Sequence, residues 1–272
     1  MENNMATKCA SLIILLLAAV LNVAAQTGTT KIKEAHPDKK ILIVLSAADH
    51  WTRADGSLYP SGYWAEEFVD VHKEFIEAGY RVDLATPGGV KPTADPKSLS
   101  PDVVGAKATV IISYLKEMAT SLEHPLPLSK VNMVRYDAIV IPGGHGPVED
   151  LYKDKDMGKL LITADKLNKI IGTVCHGQAA LLSAVDEKGN WRFKGRTLTS
   201  FSDEEEVAFG TAGNAPWLLA SRLRQYGAVY QRGEKNWSAF VVLDGNLISG
   251  QNPASSTPMA EAIINKLKNV DR

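Results

Sequence analysis

A chain of 272 residues, 45% hydrophobic and 22% charged, has the composition of an ordinary globular protein with room for one large core or two small ones. A formal net charge of -1, without a dense Lys/Arg block, removes the electrostatic case for nucleic acid as a partner. Nothing in the composition marks disorder, and no internal repeat is present.

The first element is not part of the fold. Lys8 precedes an apolar run from Ala10 to Val23, too short for a comfortable membrane span, and Val23-Ala24-Ala25 before Gln26 supplies the small residues a signal peptidase requires. Residues 1–25 therefore read as a cleavable secretory signal, with an uncleaved anchor as the competing reading, and the mature protein is expected to be secreted or periplasmic. Of the two cysteines, Cys9 would leave with the signal, so no intramolecular disulfide is possible. A lone thiol in an oxidising compartment is a liability unless it is used or shielded, which draws attention to Cys175. Residues 26–38 are polar and aperiodic, an N-terminal arm leading to one domain over 39–272.

Ile41-Leu42-Ile43-Val44-Leu45 is a continuous aliphatic run, the pattern of a strand buried on both faces of a parallel sheet. The mixed segment Ser46 to Gly62 follows its carboxyl end, where open α/β sheets place their sites, so Asp49, His50, Trp51 and Tyr59 are candidates to line a pocket; an ordinary surface loop is the alternative. Trp64, Phe68, Val71 and Phe75 form the apolar stripe of a helix over Tyr63 to Ala78, and Tyr80 to Ala85 is the next strand, completing a right-handed crossover. Glu66 and Glu67 sit at that helix's start; taken alone, either reads as a solvated or capping carboxylate.

Val90 to Ser129, rich in Pro, Lys, Asp and Ser, reads as an insertion or lid-like excursion from the sheet, with one helix near Ala108 to Thr120. His124-Pro125-Leu126-Pro127 cannot be a helix interior. Tyr136 to Ile141 is a third strand, followed at once by Pro142-Gly143-Gly144-His145-Gly146. Glycines there leave backbone N–H groups exposed to a ligand, as an oxyanion requires, although a tight turn is the simpler reading of the run in isolation.

Lys159 to Asn168 is helical, and Ile170 to Leu182 reads as a short strand that breaks sharply into a helix with Cys175 at the break. Gly172 and Gly177 flank it at nucleophile-elbow spacing, and the helix N–H groups favour the thiolate, so a solvent-presented, ionised sulfur is expected, with a buried structural cysteine at a strand end as the competing reading. Further on come a short strand near Thr197 to Thr199, the acidic helix start Asp203 to Glu206, a helix over Pro216 to Tyr226, a hairpin across Asp244-Gly245-Asn246, and a closing amphipathic helix from Ala254 to Leu267.

A nucleophilic cysteine needs a base, and the base needs a carboxylate. His176 supplies the base only if the elbow bends enough for adjacent side chains to meet. The six histidines never pair at metal-ligand spacing and Cys175 lacks a Cys partner, which argues against zinc. No phosphate-binding loop or dinucleotide fingerprint is present.

Val-Cys-His-Gly at 174–177, Pro-Gly-Gly-His-Gly at 142–146 and Gly-Gln-Asn-Pro-Ala-Ser-Ser at 250–256 together resemble the ThiJ/PfpI superfamily of class I glutamine amidotransferase-like proteins, nearest the heat-shock chaperone and glyoxalase III branch. The resemblance covers the chain from about Lys39 to the last helix. It implies a flavodoxin-like three-layer α/β sandwich with a mainly parallel sheet, a homodimer, and a cysteine enzyme of lyase or hydrolase type without a cofactor or metal. It further implies Cys175 as nucleophile, His176 as acid/base, Glu67 as a protonated carboxyl near the sulfur, and Glu206 as the third acid with Asp203 as fallback. Gly144 and the His176 backbone would form the oxyanion hole, with Gly143 and His145 beside it. Gln178 stands where the family often has Pro.

Three functions compete on this reading. The first is a glutathione-independent glyoxalase acting on a small carbonyl substrate, methylglyoxal, to give lactate. The second is a cysteine peptidase or amidase, distinguished by an open cleft rather than a cup closed by the Ser46–Gly62 and Val90–Ser129 segments. The third is a holdase chaperone or redox-stress protein that needs no turnover.

Overall fold

The structure is a computed structural model describing residues 38–269. The expected secretory signal, 1–25, and the arm as far as residue 37 lie outside the described residues. Seven strands form the central sheet: β1 (Lys40–Val44), β2 (Arg81–Thr86), β3 (Leu126–Pro127), β4 (Ala138–Ile141), β5 (Ile170–Val174), β6 (Val241–Asp244) and β7 (Leu247–Gly250). Their spatial order is β6-β7-β5-β4-β1-β2-β3, with every pair parallel except the β6–β7 hairpin. The flavodoxin-like sandwich expected from the sequence is what forms.

Because β1 and β4 are apolar at every internal position and β5 is buried throughout, alternate residues serve two cores. Ile41, Ile43, Val140 and Ile170 face one layer, where α1 (Ala65–Glu77), α2 (Lys107–Glu117) and the C-terminal helix Ser256–Asn269 contribute Phe68, Phe75, Ile111 and Ile263. Leu42, Val44, Ile139 and Ile171 face the other, against Met157 and Leu161 of α3 (Lys155–Lys166) and the helix that starts at Cys175. Among the described residues no helix is long and apolar enough to cross a membrane.

Two expectations need correction. The Val90–Ser129 segment does not close a cup: it packs its helix against α1 and returns to add β3, whose pairing Ala85–Leu126 and Thr86–Pro127 makes the sheet edge. Prolines are tolerated there because an edge strand needs fewer ladder hydrogen bonds. The turn after β5 is a 3₁₀-type helix, Cys175–Ser183, rather than a regular α-helix. Inside it Gln178 donates from Nε2 to the carbonyls of Thr173 (3.1 Å) and Gly250 (2.8 Å), tying the ends of β5 and β7 together.

Candidate active site

The carboxyl ends of β1, β4 and β5 lie side by side, so the loops leaving them meet at one point. Cys175 sits there with φ = 60°, a left-handed conformation rare for a residue with a Cβ and held only where the surroundings impose it. The imposing feature is the adjacent turn: a Cβ at Gly177 would stand 2.1 Å from the Ile141 carbonyl oxygen, so only glycine lets β4 approach this closely. The strained turn aims Cys175 Sγ at His176 Nδ1, 3.4 Å away. Neighbouring side chains therefore do meet.

His176 Nε2 in turn lies 2.7 Å from Glu206 Oε2. Glu206 is carried by α4 (Asp203–Phe209), which Ser202 and Glu205 start with a reciprocal capping box. The carboxylate's other oxygen, Oε1, lies 2.9 Å from Nε2 of His145 in the Pro-Gly-Gly-His-Gly turn. Glu206 only accepts, so both imidazoles carry their proton on Nε2, which leaves His176 Nδ1 as an acceptor facing the thiol. Asp203, the fallback acid, bonds Ser221 and Arg224 instead and takes no part.

Four rings pack in succession through this arrangement. Trp51 lies on His145 with centroids 4.5 Å apart, His145 on His176 at 4.4 Å, and His176 on Phe201 at 4.7 Å. Trp51 reaches its place because the loop after β1 is clamped by acids from beyond β4: Asp150 accepts from the Ser46 hydroxyl and the Ala47 N–H, and Glu149 from the Thr52 N–H. Of the four loop candidates Trp51 alone touches the imidazoles. Asp49 and His50 pair with each other at the surface, and Tyr59 packs under Arg53.

Glu67 comes from α1 and is fully buried. Its Oε2 accepts the Gly143 N–H at 2.6 Å, while Oε1 has no partner of full hydrogen-bond geometry and the carboxyl's remaining polar neighbour is the Cys175 thiol. The Gly143 amide is thus committed to Glu67 and is not free for an oxyanion. The N–H groups of Gly144 and His176 are the ones that point at the sulfur. Gly144, with φ = 88°, turns its amide inward where a Cβ would strike the Gly62 carbonyl oxygen at 2.4 Å.

Electrostatics follow from burial. Desolvation raises Glu67 to about 8, so this carboxyl is protonated at neutral pH. Burial, reinforced by Glu67, pushes the Cys175 thiol well above its usual value, outweighing the two backbone N–H groups. Burial keeps His176 neutral against the pull of Glu206. The same burial would neutralise Glu206, but the two imidazoles overcome it and hold the carboxylate far below its ordinary range. The expected solvent-presented thiolate is therefore corrected: Cys175 is 4% exposed and rests as a thiol beside a neutral imidazole. Ionisation has to accompany attack.

The sulfur opens onto a small cavity of about 30 Å³, walled by Trp64, Phe201, Phe209 and Trp237. Phe209 and Trp237, which sequence reasoning missed, close the cup where the 46–62 and 90–129 segments were expected to. His145, His176 and Glu206 also bring three ligand-capable atoms within 4.8 Å of one another, a cluster that spacing along the chain concealed because two adjacent strands deliver the histidines. Each of the three is occupied by the hydrogen bonds above.

The family described as ThiJ/PfpI family-like matches residues 58–226. Glyoxalase 3 of Candida albicans is 28% identical over 83% of this chain and 97% of its own length. The glutathione-independent glyoxalase HSP31 of Saccharomyces cerevisiae is 28% identical over 85% of this chain and 99% of its own. Among solved structures, glyoxalase III from Candida albicans superposes with a TM-score of 0.72 at 28% identity, covering 84% of this chain and 96% of that one.

Proposed function

The chain belongs to the ThiJ/PfpI family, and from that premise we propose that it is a glutathione-independent glyoxalase that converts methylglyoxal to lactate at Cys175. As Sγ attacks the aldehyde carbon, its proton passes to His176 Nδ1, 3.4 Å away, and the imidazolium is stabilised by Glu206. The new oxyanion faces the N–H groups of Gly144 and His176, and protonation gives a hemithioacetal. His176, neutral again, removes the hydrogen on the former aldehyde carbon, and the resulting enediol is reprotonated at the neighbouring carbon. One carbon is oxidised to a thioester while the other is reduced to an alcohol, so no external electron carrier is involved. Water then releases lactate and restores the thiol.

Glu67, protonated at neutral pH, offers its proton to the sulfur or the substrate oxygen as charge develops. The observation that carries the reading is the continuous line from Sγ through both nitrogens of His176 to Glu206. A cavity of about 30 Å³ favours a small carbonyl compound over a peptide, against the peptidase alternative. The test is lactate formation by purified protein given methylglyoxal without glutathione. Wild type should turn over, and its failure to do so would remove the proposal.

We propose further that residues 1–25 direct export to a secreted or periplasmic location and are removed, and that the 39–272 domain works as a homodimer. The apolar run ending in Val23-Ala24-Ala25 supports the first, and the resemblance supports the second.

A further inference from the structure

The mechanism makes no use of Glu205 or of the Gly-Gln-Asn-Pro-Ala-Ser-Ser motif at 250–256. Yet Glu205 is fully buried and its carboxylate gathers five donors. Oε2 accepts from the N–H of Ser202 at 3.1 Å, the hydroxyl of Ser202 at 2.9 Å and Nε2 of Gln251 at 2.9 Å. Oε1 accepts from Nδ2 of Asn252 at 2.8 Å and from the backbone N–H of Trp237 at 2.9 Å. Trp237 has φ = 65°, a conformation that bulky residues hold only under constraint, and the bond to Glu205 is that constraint. Its ring then lies 5.6 Å from Phe201 and 6.1 Å from Phe209, on the outer wall of the cavity over Cys175. The wall offers no polar group to a charged substrate tail, and burying such a tail unpaired is costly.

We propose that Glu205, held by the amides of Gln251 and Asn252, pins Trp237 as a gate that sorts carbonyl substrates by the bulk and charge of the group beyond the reacting carbon. The inference rests on the glyoxalase reading for its substrate class: neutral dicarbonyls with methyl-sized tails pass, and aryl-substituted ones are held back. Glu205 is a positioning residue, acting through Trp237 rather than on the reacting atoms.

The experiment compares alkylation of Cys175 by iodoacetamide and by the bulkier iodoacetanilide, read at the Cys175 peptide by mass spectrometry and normalised to free cysteine. The two reagents share a warhead and differ in the tail. In wild type the small reagent should be favoured about tenfold, and Trp237→Ala should erase that preference. Glu205→Gln should narrow it, with Asn252→Ala as the second variant should Glu205→Gln fail to fold. The ratio of kcat/KM for methylglyoxal over phenylglyoxal should fall in the same order. An unchanged preference in Trp237→Ala overturns the gate; a preference lost there but intact in the folded Glu205 and Asn252 variants overturns the role of Glu205. Because alkylation needs no turnover, a protein inert toward methylglyoxal that still discriminates the reagents would sink the glyoxalase reading and leave the gate standing.

Discussion

Cys175 and His176 are consecutive in the chain, yet Sγ and Nδ1 face each other at 3.4 Å because the backbone at Cys175 is left-handed. A regular strand would send successive side chains to opposite faces. The turn thus brings the proposed nucleophile and its proposed base together from two adjacent positions, and Gly177 is what permits it. Replacing Gly177 with Ala would drive a Cβ into the Ile141 carbonyl, which is backbone and has no room to yield. The expected cost is about 2–4 kcal/mol, read as a lowered urea midpoint, with activity lost in parallel.

His145 shares Glu206 with His176, and its proximity helps to keep His176 neutral. Removing it frees the carboxylate to serve His176 alone, which raises the basicity of that imidazole. His145→Ala should therefore move the acid limb of kcat/KM to higher pH and reduce kcat by about 10–100-fold through the lost orientation. An unmoved limb would mean that the two rings do not communicate through Glu206.

In the wild-type enzyme burial depresses His176 below its ordinary 6.5. The base form is the neutral one, so activity should persist as pH falls through 6.5 and decline only below it. A pH-rate profile with its acid limb above 6.5 would contradict the buried, neutral base.

Glu67 titrates near 8 when folded but near 4.5 when unfolded. The folded protein then binds the proton more tightly, so the contribution of this group to stability is complete below about 4.5 and is lost as pH rises through about 8. Glu67→Gln, which keeps the shape and cannot ionise, should flatten that part of the Tm-against-pH curve relative to wild type between pH 5 and 9. Parallel curves for the two proteins would show that the carboxyl is not held protonated.

Much of the architecture was readable in advance because β1 and β4 are continuous aliphatic runs, which in a parallel sheet are buried on both faces and leave little ambiguity of period. Cys175 could be singled out because a lone cysteine between glycines is a local pattern, whereas Glu206 was picked out of an acidic helix start only through the family resemblance. What escaped was non-local. His145 and His176 stand on adjacent strand ends, a relation that spacing along one chain does not encode. Leu126–Pro127 is too short and too proline-rich to register as a strand, yet it completes the sheet edge. Trp237 lies in a loop without periodicity, and its place over the sulfur depends on a hydrogen bond to Glu205. The protonation of Cys175 was misjudged for a related reason: helix N–H groups act locally, whereas the desolvation that outweighs them comes from rings on distant segments.

The proposed turnover depends on covalent chemistry at one sulfur. The measurement that tests it most directly is lactate released from methylglyoxal by wild type and by folded Cys175→Ala, side by side and without glutathione. Wild type should form lactate and the variant should be slower by about a thousandfold or more; equal rates in the two proteins would contradict it.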